Sequence, residues 1–441
     1  MRIRMHWKRD SGAVLRRRVA LLIAAISVAA GLLGGCARPQ ARGKVQELGI
    51  TKGPALLRVY RDRAAVMWET EIEGSCKLYY GRRGEAERCV ESKPERASYE
   101  IKEKGKETIK KTAYIHKVWI ENLEAGELYE YRVTGPQIES AAYELRTAPA
   151  DTNRVRFVVY GDTRTHPETH RKLVEQMIRK KPDFVVHVGD LATSGNKYEQ
   201  WGPQHFEVMK GLAENVPVYI AKGNHEGDNG NYEKLLIPPG EGNSFGFDYG
   251  PAHYFCLDNY TKGKEAKELV DQIVRDAAGS DAEWKFVIFH IPSLNLGHHW
   301  SAWGHPDALP SFARAGVDFV LAGHSHQYER FRPIEPPKGA EGSYVTYITT
   351  GGGGAPLHEI KPSEYHAYAK STNEFCLFDI QGDRLTMDVI DIKGEVIDRL
   401  RLTKSGPYRP GGGRLNKEYI DSAVPMDEIQ QVQKANLNKQ N

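Results

Sequence analysis

The sequence predicts a mixed α/β and α+β chain: a two-sheet β-sandwich flanked by helices, preceded by a smaller all-β sandwich. Three observations carry this. Five apolar runs, VRFVVY, DFVVHV, VPVYIAK, KFVIFH and VDFVLA, each end abruptly in a polar, often glycine-containing step. Such runs, rich in Val, Ile and Phe, read as buried strands of an α/β sheet. Helix-period segments alternate with strands in the same part of the chain, the order of stacked βαβ units. The stretch from about Leu48 to Ala148 instead alternates or clusters β-formers between glycine and charged turns.

The chain's 441 residues suit two domains plus appendages. Arg16-Arg17-Arg18 precede an apolar stretch, Val19 to Leu33, that is short for a bilayer span and reads as a targeting segment. It ends in Leu33-Gly34-Gly35-Cys36, which resembles a bacterial lipobox. On that reading residues 1–35 are a signal peptide and Cys36 becomes the lipidated first residue. The protein is then exported and anchored to the cell membrane or outer membrane, facing the periplasm or exterior. An ordinary secretion signal with a chance cysteine is the plain alternative. Residues 36–47 read as a polar tether. Export permits disulfides. Cys76 and Cys89 flank a turn-like stretch and could bridge a hairpin, whereas Cys256 and Cys376 sit in apolar runs as buried thiols or a bridge.

Residues 48–150 form the all-β domain, with strand-like AAVMWET, CKLYYG, AYIHKVWI and LYEYRVTG. In ENLEAGELYEYRV a Leu, then a Gly, then a Tyr lead into a strand, which resembles the tyrosine corner of a fibronectin type III-like sandwich. Trp68 is then the inter-sheet core residue, and the domain's role is structural packing. The linker APADTN leads into residues 151–404. HPETHRKLVEQMIRKK reads as a helix, with Pro167 in its first turn and an apolar stripe of Leu173, Val174, Met177 and Ile178. KEAKELVDQIVRDAAG repeats that pattern. EFCLFDI, RLTMDVID and EVIDRLRL read as antiparallel hairpins turning at Gly382 and Gly394. Residues 405–441, rich in Gly, Asn, Gln and Lys, are expected to be disordered. A net charge of +3 gives no strong field for nucleic acid, so no nucleic-acid partner is expected.

The ends of the five apolar runs carry Asp162, Asp190, Asn224, His290, His324 and His326. Ligands of open α/β sheets bind beyond the carboxyl ends of the strands, so these residues converge on one rim. Any one of them alone is more simply a turn former or a structural histidine. Together, hard oxygen donors mixed with imidazoles suit a pair of divalent or trivalent metals rather than a structural zinc.

GD, GD, GNHE, His290 and GHSH in this order resemble the metallophosphoesterases of calcineurin-like fold. GHSHQYER, the pair His298-His299 after His290, and the run Gly351 to Gly354 after SYVTYITT resemble the purple acid phosphatase branch. The resemblance covers roughly Arg154 to Leu402. It implies that Asp190 bridges two ions, with Asp162 and His326 on one and Asn224, His290 and His324 on the other. It implies iron, manganese or zinc as the metal, and His225 as the acid that protonates the leaving alkoxide. Glu226 orients His225 or is a surface residue. Arg164 clamps the phosphate or pairs with a carboxylate. His298 and His299 bind phosphate oxygens or form a solvated loop pair.

Two departures stand out. Arg164 occupies the place of the general family's first-motif His, and Thr193 replaces the Tyr that ligates iron and colours purple acid phosphatases. Thr193, water or His170 fills that gap. The implied function is an exported phosphatase that hydrolyses small phosphomonoesters by attack of a metal-bound hydroxide. The alternatives are a phosphodiesterase on the same fold and a non-catalytic module binding phosphate or a partner.

Overall fold

The computed structural model describes residues 49–438 except 103–104, 261–262, 298–302, 304–307 and 405–414. The expected signal peptide and Cys36 lie outside the described residues. Strands β1 (Ile50–Val59), β2 (Arg63–Thr70), β3 (Cys76–Gly81), β4 (Arg88–Ser92), β5 (Glu95–Ile101), β6 (Ile109–Glu121), β7 (Leu128–Gly135), β8 (Ile138–Glu139) and β9 (Tyr143–Arg146) build an antiparallel sandwich. One sheet has the order β1-β2-β6-β5, and the other β4-β3-β7-β8 with β9 paired to β7. Trp68 is fully buried between them and stacks on His116 at 5.0 Å. The Tyr129 hydroxyl accepts the Glu124 backbone N–H at 2.8 Å, closing the corner before β7. Cys76 is a free buried thiol and lies opposite Ser92, so the Cys76–Cys89 bridge does not form. Cys256 and Cys376 are free and buried as well.

The second sandwich starts at β10 (Arg154–Tyr160), α1 (Pro167–Lys180) and β11 (Phe184–His187). A 3-10 turn (Tyr198–Gln200), a π-helical turn (Gly202–Phe206) and α2 (Glu207–Met209) lead to β12 (Val218–Ile220) and α3 (Asn231–Leu236). Then come β13 (Phe245–Tyr249), β14 (Ala252–Cys256), α4 (Gly263–Gly279), β15 (Trp284–Ile288), α5 (Ala308–Arg314) and β16 (Phe319–Ala322). Strands β17 (Tyr328–Phe331), β18 (Thr346–Thr350), β19 (His366–Lys370), β20 (Glu374–Gln381), β21 (Arg384–Asp391) and β22 (Val396–Thr403) complete two sheets. Their orders are β12-β11-β10-β20-β21-β22 and β13-β14-β15-β16-β18-β17-β19.

The apolar runs are continuous because these strands are buried on both faces. In β10, Val155, Phe157 and Val159 enter the layer between the sheets, while Val158 and Tyr160 pack with Leu173, Val174 and Met177 of α1. Phe157 is the centre of the layer: it stacks on Phe378 at 4.8 Å and meets Phe286 of the other sheet edge-on at 5.3 Å. Removing such a ring costs about 3–5 kcal/mol. In β16 the same alternation sends Phe319 and Leu321 inward and Val320 and Ala322 toward α4 and α5. Strands β10, β11 and β12 are mutually parallel, as are β14, β15, β16 and β18.

Two expectations need correction. Ile178 is outside the buried stripe and 39% exposed, one helical step beyond Met177. Residues 415–438 are not a disordered tail: α6 (Lys417–Asp421) and α7 (Met426–Asn438) follow, and Val424, Met426 and Ile429 are buried in the core under α4 and α5. Polar composition hid a short apolar stripe.

Candidate metal centre

Each strand ends in a turn that aims one donor at the rim. Asp162 follows β10 with φ 57°, Asp190 follows β11 with φ 62°, and His324 follows β16 with φ 68°. Left-handed backbone costs a side-chain-bearing residue roughly 1–2 kcal/mol. Three such residues at predicted ligands mark a place where the fold enforces geometry. The motif glycines make room for the carboxylates. A Cβ on Gly223 would lie 2.4 Å from Asp190 Oδ1, and one on Gly323 would lie 2.4 Å from Asp162 Oδ2.

The donors fall into two groups that share Asp190. Asp162, Asp190 and His326 offer buried ligand atoms within 4.8 Å of one another, the metal-compatible cluster found among the described residues. His326 Nδ1 donates to the Pro356 carbonyl at 2.8 Å, so its Nε2 lone pair faces Asp162 Oδ1 at 3.6 Å. In the second group His290 Nδ1 donates to the Val188 carbonyl at 2.7 Å. Its Nε2 lone pair then lies 2.9 Å from Asn224 Oδ1 and 3.4 Å from Asp190 Oδ1. His324 Nδ1 approaches the same Asn224 oxygen at 2.9 Å. All six predicted ligands are therefore brought together.

Electrostatics test whether cations fit. Burial, and then the charge of Asp190, push the Asp162 carboxyl well above the usual range. Burial pushes Asp190 the same way, but His290, His225 and Arg164 outweigh it and hold its carboxylate down. Burial, and then His358, push His326 down to about 3, and burial also lowers His290. The imidazole nitrogens left over from these carbonyl bonds thus face carboxylate and amide oxygens, and a cation among them would offset the burial and charge that raise Asp162. Asp162 Oδ1 is buried without a hydrogen-bond partner. A set of converging acceptors is what hard or borderline divalent cations take, so the residues fit two ions.

Several residues named from the sequence surround this centre. His225 Nδ1 donates to the Thr193 carbonyl at 2.7 Å, which leaves Nε2 facing the site 3.8 Å from Asp190 Oδ2. Arg164 reaches in as well, with Nε 3.5 Å from Asp190 Oδ2 and an Nη 3.3 Å from His326 Nε2. Glu226 neither orients His225 nor sits on the surface. It is 1% exposed and accepts the N–H groups of Asp190, Leu191 and Gly223 at 2.9, 2.7 and 2.6 Å. Burial and the Asp190 charge raise its carboxyl to about 8.

The gap left by the missing Tyr is filled by neither protein candidate. The Thr193 hydroxyl donates to Gln204 Oε1 at 3.0 Å. His170 is fully buried behind the centre, its Nε2 2.8 Å from the Tyr160 hydroxyl. His298 and His299 lie outside the described residues. Sequence reasoning missed His187, whose ring nitrogens join Thr163 Oγ1 at 3.0 Å to the Gly189 N–H at 3.1 Å and so tie the two Asp turns together. It also missed His358, stacked on His326 at 4.1 Å. Neither carries a local motif.

Residues 155–328 match the calcineurin-like phosphoesterase family. The chain is 29% identical over 285 residues to purple acid phosphatase 21 of Arabidopsis thaliana, across 57% of this chain and 64% of that protein. It is 23% identical over 308 residues to the same plant's probable inactive purple acid phosphatase 1, across 56% of this chain and 50% of that one. A purple acid phosphatase from yellow lupin (Lupinus luteus) seeds shares the fold, with a TM-score of 0.66 at 19% identity over 79% of this chain and 74% of that chain. This chain thus spans about half to two-thirds of the length of the two Arabidopsis proteins.

Proposed function

The chain carries a calcineurin-like metallophosphoesterase domain with purple acid phosphatase homologues, and from that premise we propose that it is a metal-dependent phosphatase acting on small phosphomonoesters. The observation that carries this is the pair of acceptor clusters sharing Asp190: Asp162 and His326 on one side, Asn224, His290 and His324 on the other. Two ions held there supply Lewis-acid charge and acidify water. The chain's own residues do the rest. The Arg164 fork offers N–H donors to phosphate oxygens. His225, with Nδ1–H fixed on a carbonyl, holds a proton at Nε2 for the leaving oxygen when protonated. The strained turns at Asp162, Asp190 and His324 keep the donors in place as the ester is positioned.

The test is metal analysis of protein purified without added metal, followed by assays on an aryl phosphomonoester and the matching diester. Expected are two ions per chain, loss of hydrolysis on chelation, restoration by a divalent ion, and faster turnover of the monoester. Faster diester turnover favours a phosphodiesterase. A metal-replete protein that hydrolyses neither is a binding module; the absent Tyr at Thr193 is the feature on its side, against six retained ligands.

The reading includes anchoring through a lipid on Cys36, supported by the Leu33-Gly34-Gly35-Cys36 motif alone. Cys36→Ser then releases the protein from the membrane fraction or leaves it unprocessed. Wild-type protein that is fully soluble and carries no lipid label rules this out.

A further inference from the structure

The loop after the bridging aspartate is held by its backbone amides, and two of the holders come from an unusual helix. Asp190 and Leu191 donate to Glu226, and Gly195 donates to the His225 carbonyl at 2.7 Å. Between them, the Thr193 N–H donates to Gln204 Oε1 at 2.7 Å and the Ser194 N–H to Gln200 Oε1 at 2.8 Å. The two glutamines are four residues apart, across the junction of the 3-10 turn and the π-helical turn (Gly202–Phe206). Residues four apart on a helix face the same way, and π-turns recur at functional sites. This platform is anchored: Trp201 is buried and its indole N–H donates to the Gly195 carbonyl at 2.9 Å, while the Gln204 carbonyl accepts from His170 Nδ1 at 3.3 Å.

Gln204 Oε1 also accepts the Thr193 hydroxyl at 3.0 Å. Both Thr193 donors are thus engaged by Gln204, with the Thr165 hydroxyl 3.4 Å from that of Thr193, and the Thr193 carbonyl is turned to His225 Nδ1 at 2.7 Å. A carbonyl only accepts, so it fixes the Nδ1–H tautomer and the plane of the ring. We propose that Gln204 is a positioning residue for His225, acting through Thr193, and that Thr193 serves here as a backbone relay in place of a ligand. The inference rests on the proposed function in taking His225 as the proton donor.

Among the described residues the Gln204 side chain engages Thr193 through its acceptor oxygen, so Gln204→Glu keeps the interaction and Gln204→Ala removes it. With metal-replete enzyme, Gln204→Ala should lower kcat on an alkyl phosphate by roughly ten- to a hundredfold, part of the range of general acid catalysis. It should lower kcat on 4-nitrophenyl phosphate, whose leaving group needs no proton, by no more than about threefold. Gln204→Glu should restore the alkyl phosphate rate. The double variant Gln204→Ala/His225→Ala should be no slower than His225→Ala alone, because both act through one imidazole. Equal losses on the two substrates, or losses that multiply in the double variant, overturn the proposal. A crystal structure of Gln204→Ala decides independently of any hydrolysis: His225 Nδ1 displaced from the Thr193 carbonyl supports it, and an unchanged bond overturns it. A failure of phosphatase activity in wild-type enzyme would therefore be distinguishable from a failure of this inference.

Discussion

His225, His290 and His326 each rest Nδ1 on one backbone carbonyl, and His225 is set apart from the other two by its exposure. Its side chain is 29% exposed while that of His290 is 1%, so His225 is open to groups from solvent while His290 is enclosed by the Val188, Asn224 and Asp190 oxygens. His225→Ala should lose roughly 10²–10⁴-fold on alkyl phosphates and far less on activated aryl esters. Equal losses, measured across leaving groups of graded pKa, would reduce it to a positioning role. Colour is a second outcome at this scale. Thr193 has no phenol, the Tyr160 hydroxyl is taken by His170 and Met209, and the Tyr198 hydroxyl binds Glu69. Protein loaded with ferric iron should show no strong violet band, and a visible spectrum checks it. The donors of the centre were legible because each stands at the polar end of an apolar strand, all but His290 in a glycine-containing motif. Glu226 and Gln204 were not, because what they do is decided by partners 35 and 11 residues away that no local pattern encodes. His170 misled for the opposite reason: it shares the buried face of α1 with Leu173, Val174 and Met177, and a helix phase does not say which layer it enters.

At the scale of elements, strands β13 and β14 and helix α4 are joined by one titratable clamp. His253 on β14 lies between Asp248 of β13 at 2.7 Å and Asp276 of α4 at 2.6 Å. Burial would lower its pKa, but hydrogen bonds and charge from the two carboxylates outweigh that and raise it from 6.5 to about 9. The folded value lies above the unfolded one. The stabilisation is therefore complete below about pH 6.5 and lost as pH rises through about 9. Asp248 is 55% exposed, so after screening the clamp contributes about 1–2 kcal/mol. Thermal melts of wild type and His253→Gln should differ most near pH 6 and converge near pH 10. A constant difference across that range would assign the loss to packing. Elements whose period and punctuation agree were readable: α1 from its stripe, and the β20–β21 and β21–β22 turns from Gly382 and Gly394, both at positive φ. The π-turn was not, since its hydrogen-bond pattern depends on tertiary anchoring at Trp201, nor was α7, whose buried face is a minority of a polar segment.

Across the whole molecule, the N-terminal sandwich and the sandwich that carries the candidate metal centre share a core, which the linker APADTN concealed. Leu57, Met67 and Ile115 pack in one cluster with Trp201 and Phe206. The Leu56 N–H donates to the Ala213 carbonyl at 2.8 Å, and the Tyr219 hydroxyl to the Val59 carbonyl at 2.6 Å. Glu69 lies at the centre of the junction, accepting from Thr51 and Lys52 at 2.6 Å and from the Tyr198 hydroxyl. Lys52 and Glu69 are both almost fully buried. Glu69→Ala leaves a buried cation unpaired, a loss of about 3–5 kcal/mol. The same junction ties the sandwich to the loop after Asp190, because Tyr198 and Trp201 flank Gln200, which holds Ser194. The first sandwich is therefore part of the folding unit rather than an appended module. The full chain should melt in a single calorimetric transition. A polypeptide beginning at Asp151 should aggregate or melt at least about 10 °C lower, at roughly 2–4 °C per kcal/mol for a domain of that size. Two resolved transitions, together with a shortened chain that melts where the full one does and keeps its activity, would show that the shared core contributes nothing to holding the loop after Asp190.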